Sequence, residues 1–160
     1  MKRLFLLLMV CCLLGAAACA PRGPGGLFEE KPEARLFRSA QSAVDSGQYD
    51  KAFTLFQEYV QNYADASRVP DALLQMGIIR ARQGKHAQAL AYLEQVIHSY
   101  PESQDARQAL VERVSVMYDA GNFQKVILQA ADVFDRKLPD AQFVRAGRIA
   151  GDAYMALNIG

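Results

Sequence analysis

The side chains able to do chemistry are few and badly spaced for it. His86 and His98 are the only imidazoles, and twelve residues is not the i, i+4 spacing that lets one helix face hold a metal ion. His86 occupies a position that is Tyr49 and Phe123 elsewhere in the chain, so it reads as a packing residue, and His98, near a helix end, suits the helix dipole. Seven serines, from Ser39 to Ser115, include none in a Gly-x-Ser-x-Gly turn and none with an assignable histidine partner. The acid pairs Glu29-Glu30 and Asp132/Asp135 read as solvated faces rather than as an acid and a base. Gly23-x-Gly25-Gly26 has no strand before it and no Gly-Lys-Ser/Thr after it, so it reads as linker rather than phosphate loop. No catalytic group, metal site or cofactor is expected, and the chain reads as a non-enzyme.

The thiols are more informative. Met1-Lys2-Arg3 is a short cationic start, Leu4 to Leu14 an apolar run, and Gly15 to Ala18 a stretch of small residues ending at Cys19. That order is an export signal over residues 1–18. An eleven-residue run at about 1.5 Å per residue reaches roughly half of a ~30 Å hydrocarbon core, too short for a permanent span. Cys11 and Cys12 leave with the signal, so Cys19 stays as a single cysteine in an oxidising compartment. Ala16-Ala17-Ala18-Cys19 resembles the bacterial lipobox, with Ala16 where leucine is commoner. The resemblance implies that Cys19 is lipidated and becomes the new N-terminus; the other reading is an ordinary signal cut after Ala18. Ala20 stands where an Asp often marks inner-membrane retention, which resembles the outer-membrane class. Residues 19–32 then form a tether, Pro- and Gly-rich from Ala20 to Gly26. Removing the first 18 residues with Lys2 and Arg3 leaves 16 basic against 17 acidic side chains. A balance without a basic stripe excludes nucleic acid as the partner.

Residues 33–160 must supply the body of the protein, and they repeat. Ser46-Gly47-Gln48-Tyr49, Gln83-Gly84-Lys85-His86 and Ala120-Gly121-Asn122-Phe123 align at a shift of 37 residues. Each glycine ends one amphipathic segment and precedes another, where a helix closes on a left-handed residue before its partner begins. Phe56, Leu93 and Ala130 are equivalent in the second helices, as are Tyr59, Val96 and Val133. In the first helices Leu36, Leu73 and Leu110 coincide, and Ala40, Gly77, Val114 and Gly151 mark the next turn. The expected fold is all-α, about three helical hairpins plus a terminal helix from Phe143 to Leu157.

Gly84, Ala89, Leu93, Val96 and Pro101 resemble the tetratricopeptide repeat, with Gly47, Tyr49, Ala52, Phe56 and Tyr59 as a second copy and Gly121 and Phe123 as a weaker third. The resemblance covers residues 33–157 and implies a solenoid whose first helices line a concave peptide-binding face. By repeat register it places Phe37, Gln41, Val44, Asp71, Leu74, Ile78, Gln108, Val111, Ser115, Tyr118, Arg145, Arg148 and Asp152 on that face, with Arg80 and Arg82 nearby. Several of the apolar ones have an equal alternative, packing between hairpins. The paired lysines of carboxylate-binding chaperone adaptors are missing. With the signal and Cys19, the whole resembles the BamD (YfiO-like) lipoproteins of the β-barrel outer-membrane assembly machinery. That implies a lipid-anchored, periplasm-facing scaffold on the bacterial outer membrane, binding envelope proteins. Alternatives are the N-terminal repeat domain of a lipoprotein activator of peptidoglycan synthases, and a secretin pilotin.

Overall fold

The computed structural model describes residues 30–135 and 138–158. The residues from Pro32 onward form one compact unit. The expected signal, Cys19 and the Pro/Gly tether lie outside the described residues.

Among the described residues seven helices follow one another: α1 (Pro32–Asp45), α2 (Tyr49–Asn62), α3 (Val69–Arg82), α4 (His86–Ser99), α5 (Gln104–Asp119), α6 (Phe123–Asp135) and α7 (Asp140–Asn158). The described residues contain no strand. Gly47, Gly84 and Gly121 have φ of 70°, 69° and 74°, the left-handed conformation that side chains with a Cβ disfavour. Each sits in the same closing motif. Gly47 N donates to Val44 O at 2.9 Å and Gln48 N to Ala43 O at 2.8 Å, and the same two bonds recur at Gly84/Lys85 and Gly121/Asn122. These bonds satisfy carbonyls that the helix end would leave orphaned. Pro70 occupies the first turn of α3, where no N–H is needed, and Ser103 caps α5 by accepting from Ala106 N at 2.9 Å.

Every helix packs on its neighbours in sequence, and α3 with α5 and α5 with α7 touch as well. The repeat-equivalent triplets Phe56, Leu93, Ala130 and Tyr59, Val96, Val133 are all buried. Phe37 meets Phe56 and Tyr59 edge-on at 5.3 and 5.1 Å between centroids, a favoured geometry for ring quadrupoles. Small residues set the helix spacing: a Cβ on Gly77 would stand 3.0 Å from Cγ and Cδ2 of Leu93.

An ion cluster around a buried arginine joins three helices. Arg113 of α5, 5% exposed, donates to Glu94 of α4 and to Asp132 of α6, each at 3.1 Å. Asp132, its side chain 43% exposed, is a solvated acid that also pairs with this buried cation. Within the described residues no helix is long and apolar enough to cross a membrane.

Candidate protein-binding groove

The first helix of each hairpin faces a common groove of about 630 Å³. From α1 it is lined by Gln41, Val44 and Asp45; from α3 by Gln75, Ile78, Ala81 and Arg82; from α5 by Gln108, Glu112, Ser115, Val116 and Asp119; and from α7 by Arg145, with Leu93 the one contribution from a second helix, α4. Val44, Ile78 and Ala81 pack against the core beneath, so an apolar strip runs between amides, hydroxyls and charges.

The charges are held in place. Arg145 grips Glu112 through two hydrogen bonds of 2.6 and 3.0 Å, the bidentate match of guanidinium and carboxylate. Those bonds raise the Arg145 pKa above its ordinary value against the opposing effect of burial. Arg82 donates to the Tyr49 hydroxyl at 2.8 Å, and beside it the Gln83 amide donates to Asp50 at 2.9 Å; both bonds join α2 to the end of α3. At the other end of the α3–α5 interface, burial and then the nearby charge of Asp71 push the Asp105 carboxyl up. Gln41 and Gln75 donate weakly to Asp45 and Asp71, at 3.3 and 3.5 Å, leaving most of their amide capacity available to another chain.

Of the residues assigned to this face by repeat register, Gln41, Ile78 and Ser115 line the groove, as do Val44, Gln108 and Arg145. Phe37, Leu74 and Val111 do not: each is 1% exposed and part of the core. The correction has a simple cause. One residue turns a helix by about 100°, and the lining positions Gln75 and Glu112 come one residue after Leu74 and Val111. Tyr118 is half-buried against Phe123, 5.3 Å between centroids, and Arg148 is exposed away from the lining, which Arg145 joins instead. Arg80 leaves the surface to lie 3.5 Å over the ring of Phe53, while Arg82 stays in the groove. Gln75, Glu112 and Asp119 were not anticipated. The signal for the first two is that polar residues follow the apolar positions at 74 and 111.

His86 is half-buried with its Nδ1 unpartnered, and His98 is exposed with Nε2 3.2 Å from Glu94. Among the described residues no three His, Cys, Asp or Glu side chains gather in a way that could hold a metal ion.

A tetratricopeptide-repeat family model matches residues 36–66 and 71–103, which are the first two helical hairpins. The fold is a tetratricopeptide-repeat solenoid. The third hairpin, α5 with α6, repeats the same glycine closure outside the matched residues. Solved structures agree. A tetratricopeptide repeat protein from Parabacteroides merdae superposes with a TM-score of 0.67 at 18% identity, covering 79% of this chain and 47% of that one. MamA from Desulfovibrio magneticus RS-1, from residue 41 onward, gives 0.62 at 23% identity, covering 79% and 67%. PcrH in complex with the chaperone binding region of PopB gives 0.57 at 19%, covering 78% and 98%. This chain thus spans about half the length of the Parabacteroides protein. No curated protein matches the sequence. Tetratricopeptide repeats are protein-interaction scaffolds.

Proposed function

We propose that this chain is a lipid-anchored scaffold of the bacterial envelope, facing the periplasm from the outer membrane and holding segments of envelope proteins during outer-membrane assembly. The observation that carries the reading is the groove across four helices, with an apolar strip of Val44, Ile78 and Ala81 flanked by Gln41, Gln75, Gln108 and Ser115. An extended segment lays alternate side chains on such a strip while amides pair with its backbone. The complex of PcrH with the chaperone binding region of PopB is a precedent on the same fold for holding part of another protein. Export and anchoring rest on the order of Lys2-Arg3, the apolar run and the Ala16 to Cys19 quartet. Several acyl chains at about 0.8 kcal/mol per buried methylene hold a protein on a bilayer.

The test is photo-crosslinking in intact cells, with a photoreactive amino acid at Gln41 or Ser115 and a control at Leu128, which is 72% exposed on α6. Capture of outer-membrane assembly subunits from the groove positions, lost when Cys19→Ser releases the protein from membranes, is the expected result. Equal capture from Leu128 overturns the groove. Capture of a peptidoglycan synthase moves the function to cell-wall control.

A further inference from the structure

Asp45, Arg82 and Asp119 are the last residues of α1, α3 and α5, each one repeat period of 37 residues after the one before. All three are exposed and line the groove, so one of its rims reads acid, base, acid across three successive first helices. One helical turn earlier, Gln41, Ile78 and Ser115 make a row without charge. Among the described residues the rim charges form no ion pair with one another. Asp45 accepts a long bond of 3.3 Å from the Gln41 amide, and Arg82 donates to the Tyr49 hydroxyl at 2.8 Å, both neutral partners. The Arg145 cation feels Asp119 but gives its two hydrogen bonds to Glu112. The two acids also sit against the helix dipole. A helix C-terminus favours cations, as at Arg82, yet α1 and α5 end on a carboxylate with no basic residue in the last turn. A local rule broken twice at equivalent positions of one groove points to a charge that arrives from outside.

We propose that the partner segment held in this groove is extended and carries an acidic residue flanked by two basic ones, the acid facing Arg82 and the bases facing Asp119 and Asp45. The inference rests on the groove being the partner-binding surface, and it adds the chemistry of what binds there. The spacing on one side follows from the fold. Helices α3 and α5 touch, and packed helices lie about 8–10 Å apart. An extended chain advances about 3.3 Å per residue, so the acid and the base facing Asp119 are about three residues apart. Alternate side chains then rest on the uncharged row of Gln41, Ile78 and Ser115. Each base would meet both a carboxylate and the negative end of a helix dipole. Rim charges of this kind select a partner and steer its approach more than they add affinity.

The experiment measures fluorescence anisotropy of two labelled synthetic peptides with the full-length protein in mild detergent. One is Lys-x-x-Glu-x-x-Lys and the other Glu-x-x-Lys-x-x-Lys, with valine and serine at the positions x, so that composition and net charge are equal and only the order differs. The first should bind about tenfold tighter, the scale of a few surface charge pairs made rather than opposed, and the gap should close in high salt. The triple variant Asp45→Lys, Arg82→Glu, Asp119→Lys should invert the preference with unchanged far-UV circular dichroism, since all three side chains are exposed. Ile78→Ser should weaken both peptides alike. Equal affinities for the parent, or a preference that survives the triple reversal, overturn the charge pattern; if Ile78→Ser still weakens both peptides, the groove itself stands. No binding of either peptide, or binding indifferent to Ile78→Ser, overturns the pattern and the groove together.

Discussion

Arg113 reaches Glu94 from the middle of the solenoid, 3.1 Å from guanidinium to carboxylate, with an equal bond to Asp132 on its other side. The cation is almost wholly buried, while its two acids remain partly exposed at 36% and 43%. Glu94→Gln or Asp132→Asn alone leaves one carboxylate in place, at a cost of about 1 kcal/mol or less. Both together strand a buried cation, costing about 3 kcal/mol. Chemical denaturation of the two single variants and the double variant should thus show a loss well above the sum.

Gly77→Ala and Gly151→Ala should move stability in opposite directions. Alanine gains about 1 kcal/mol over glycine inside a helix. At position 77 the new methyl meets Cγ and Cδ2 of buried Leu93 at 3.0 Å, and overpacking of about 1–3 kcal/mol outweighs the gain. At 151 the site is open and the gain stands. Thermal unfolding at low protein concentration reads both signs.

Leu74→Asp and Ile78→Asp separate core from groove. Leu74 is 1% exposed, and a carboxylate there should unfold α3 and its neighbours at a cost above about 3 kcal/mol. Ile78 is half-buried at the groove floor; its variant should keep its helicity and lose crosslinked partner. Circular dichroism with crosslinking yield distinguishes them.

Asp105 supplies a pH dependence. Burial, then the charge of Asp71, raises its pKa in the folded protein, so the folded form holds the proton more tightly than the unfolded chain. Its contribution is present below the ordinary carboxylate range and lost as pH rises through the raised value. Asp105→Asn should accordingly be more stable than the parent at neutral pH and equal to it near pH 3. Melting both proteins at the two pH values checks the sign.

The hairpins were legible because glycine has a conformational reason to recur: Gly47, Gly84 and Gly121 each close a helix at positive φ. The face of each first helix was harder to read. A period locates equivalent positions without saying which way they point, and Phe37, Leu74 and Val111 are equivalent by sequence yet all buried. Arg113 was invisible for another reason. Its counterparts are Met76 and Ala150, so a charge at that register looks like surface until the two acids, each nineteen residues away in sequence, fold around it. Arg145 and Glu112 likewise come together only when alternate helices stack.

Because each hairpin closes through its own glycine turn and touches only adjacent helices or the next first helix, the length of this protein is a free variable. Duplicating residues 67–103 in tandem would insert one more rung with the α3–α4 hairpin interface reproduced, and the groove would grow by the width of a helix. The footprint a partner must present is thus set by the number of rungs, a quantity that gene duplication changes in a single step.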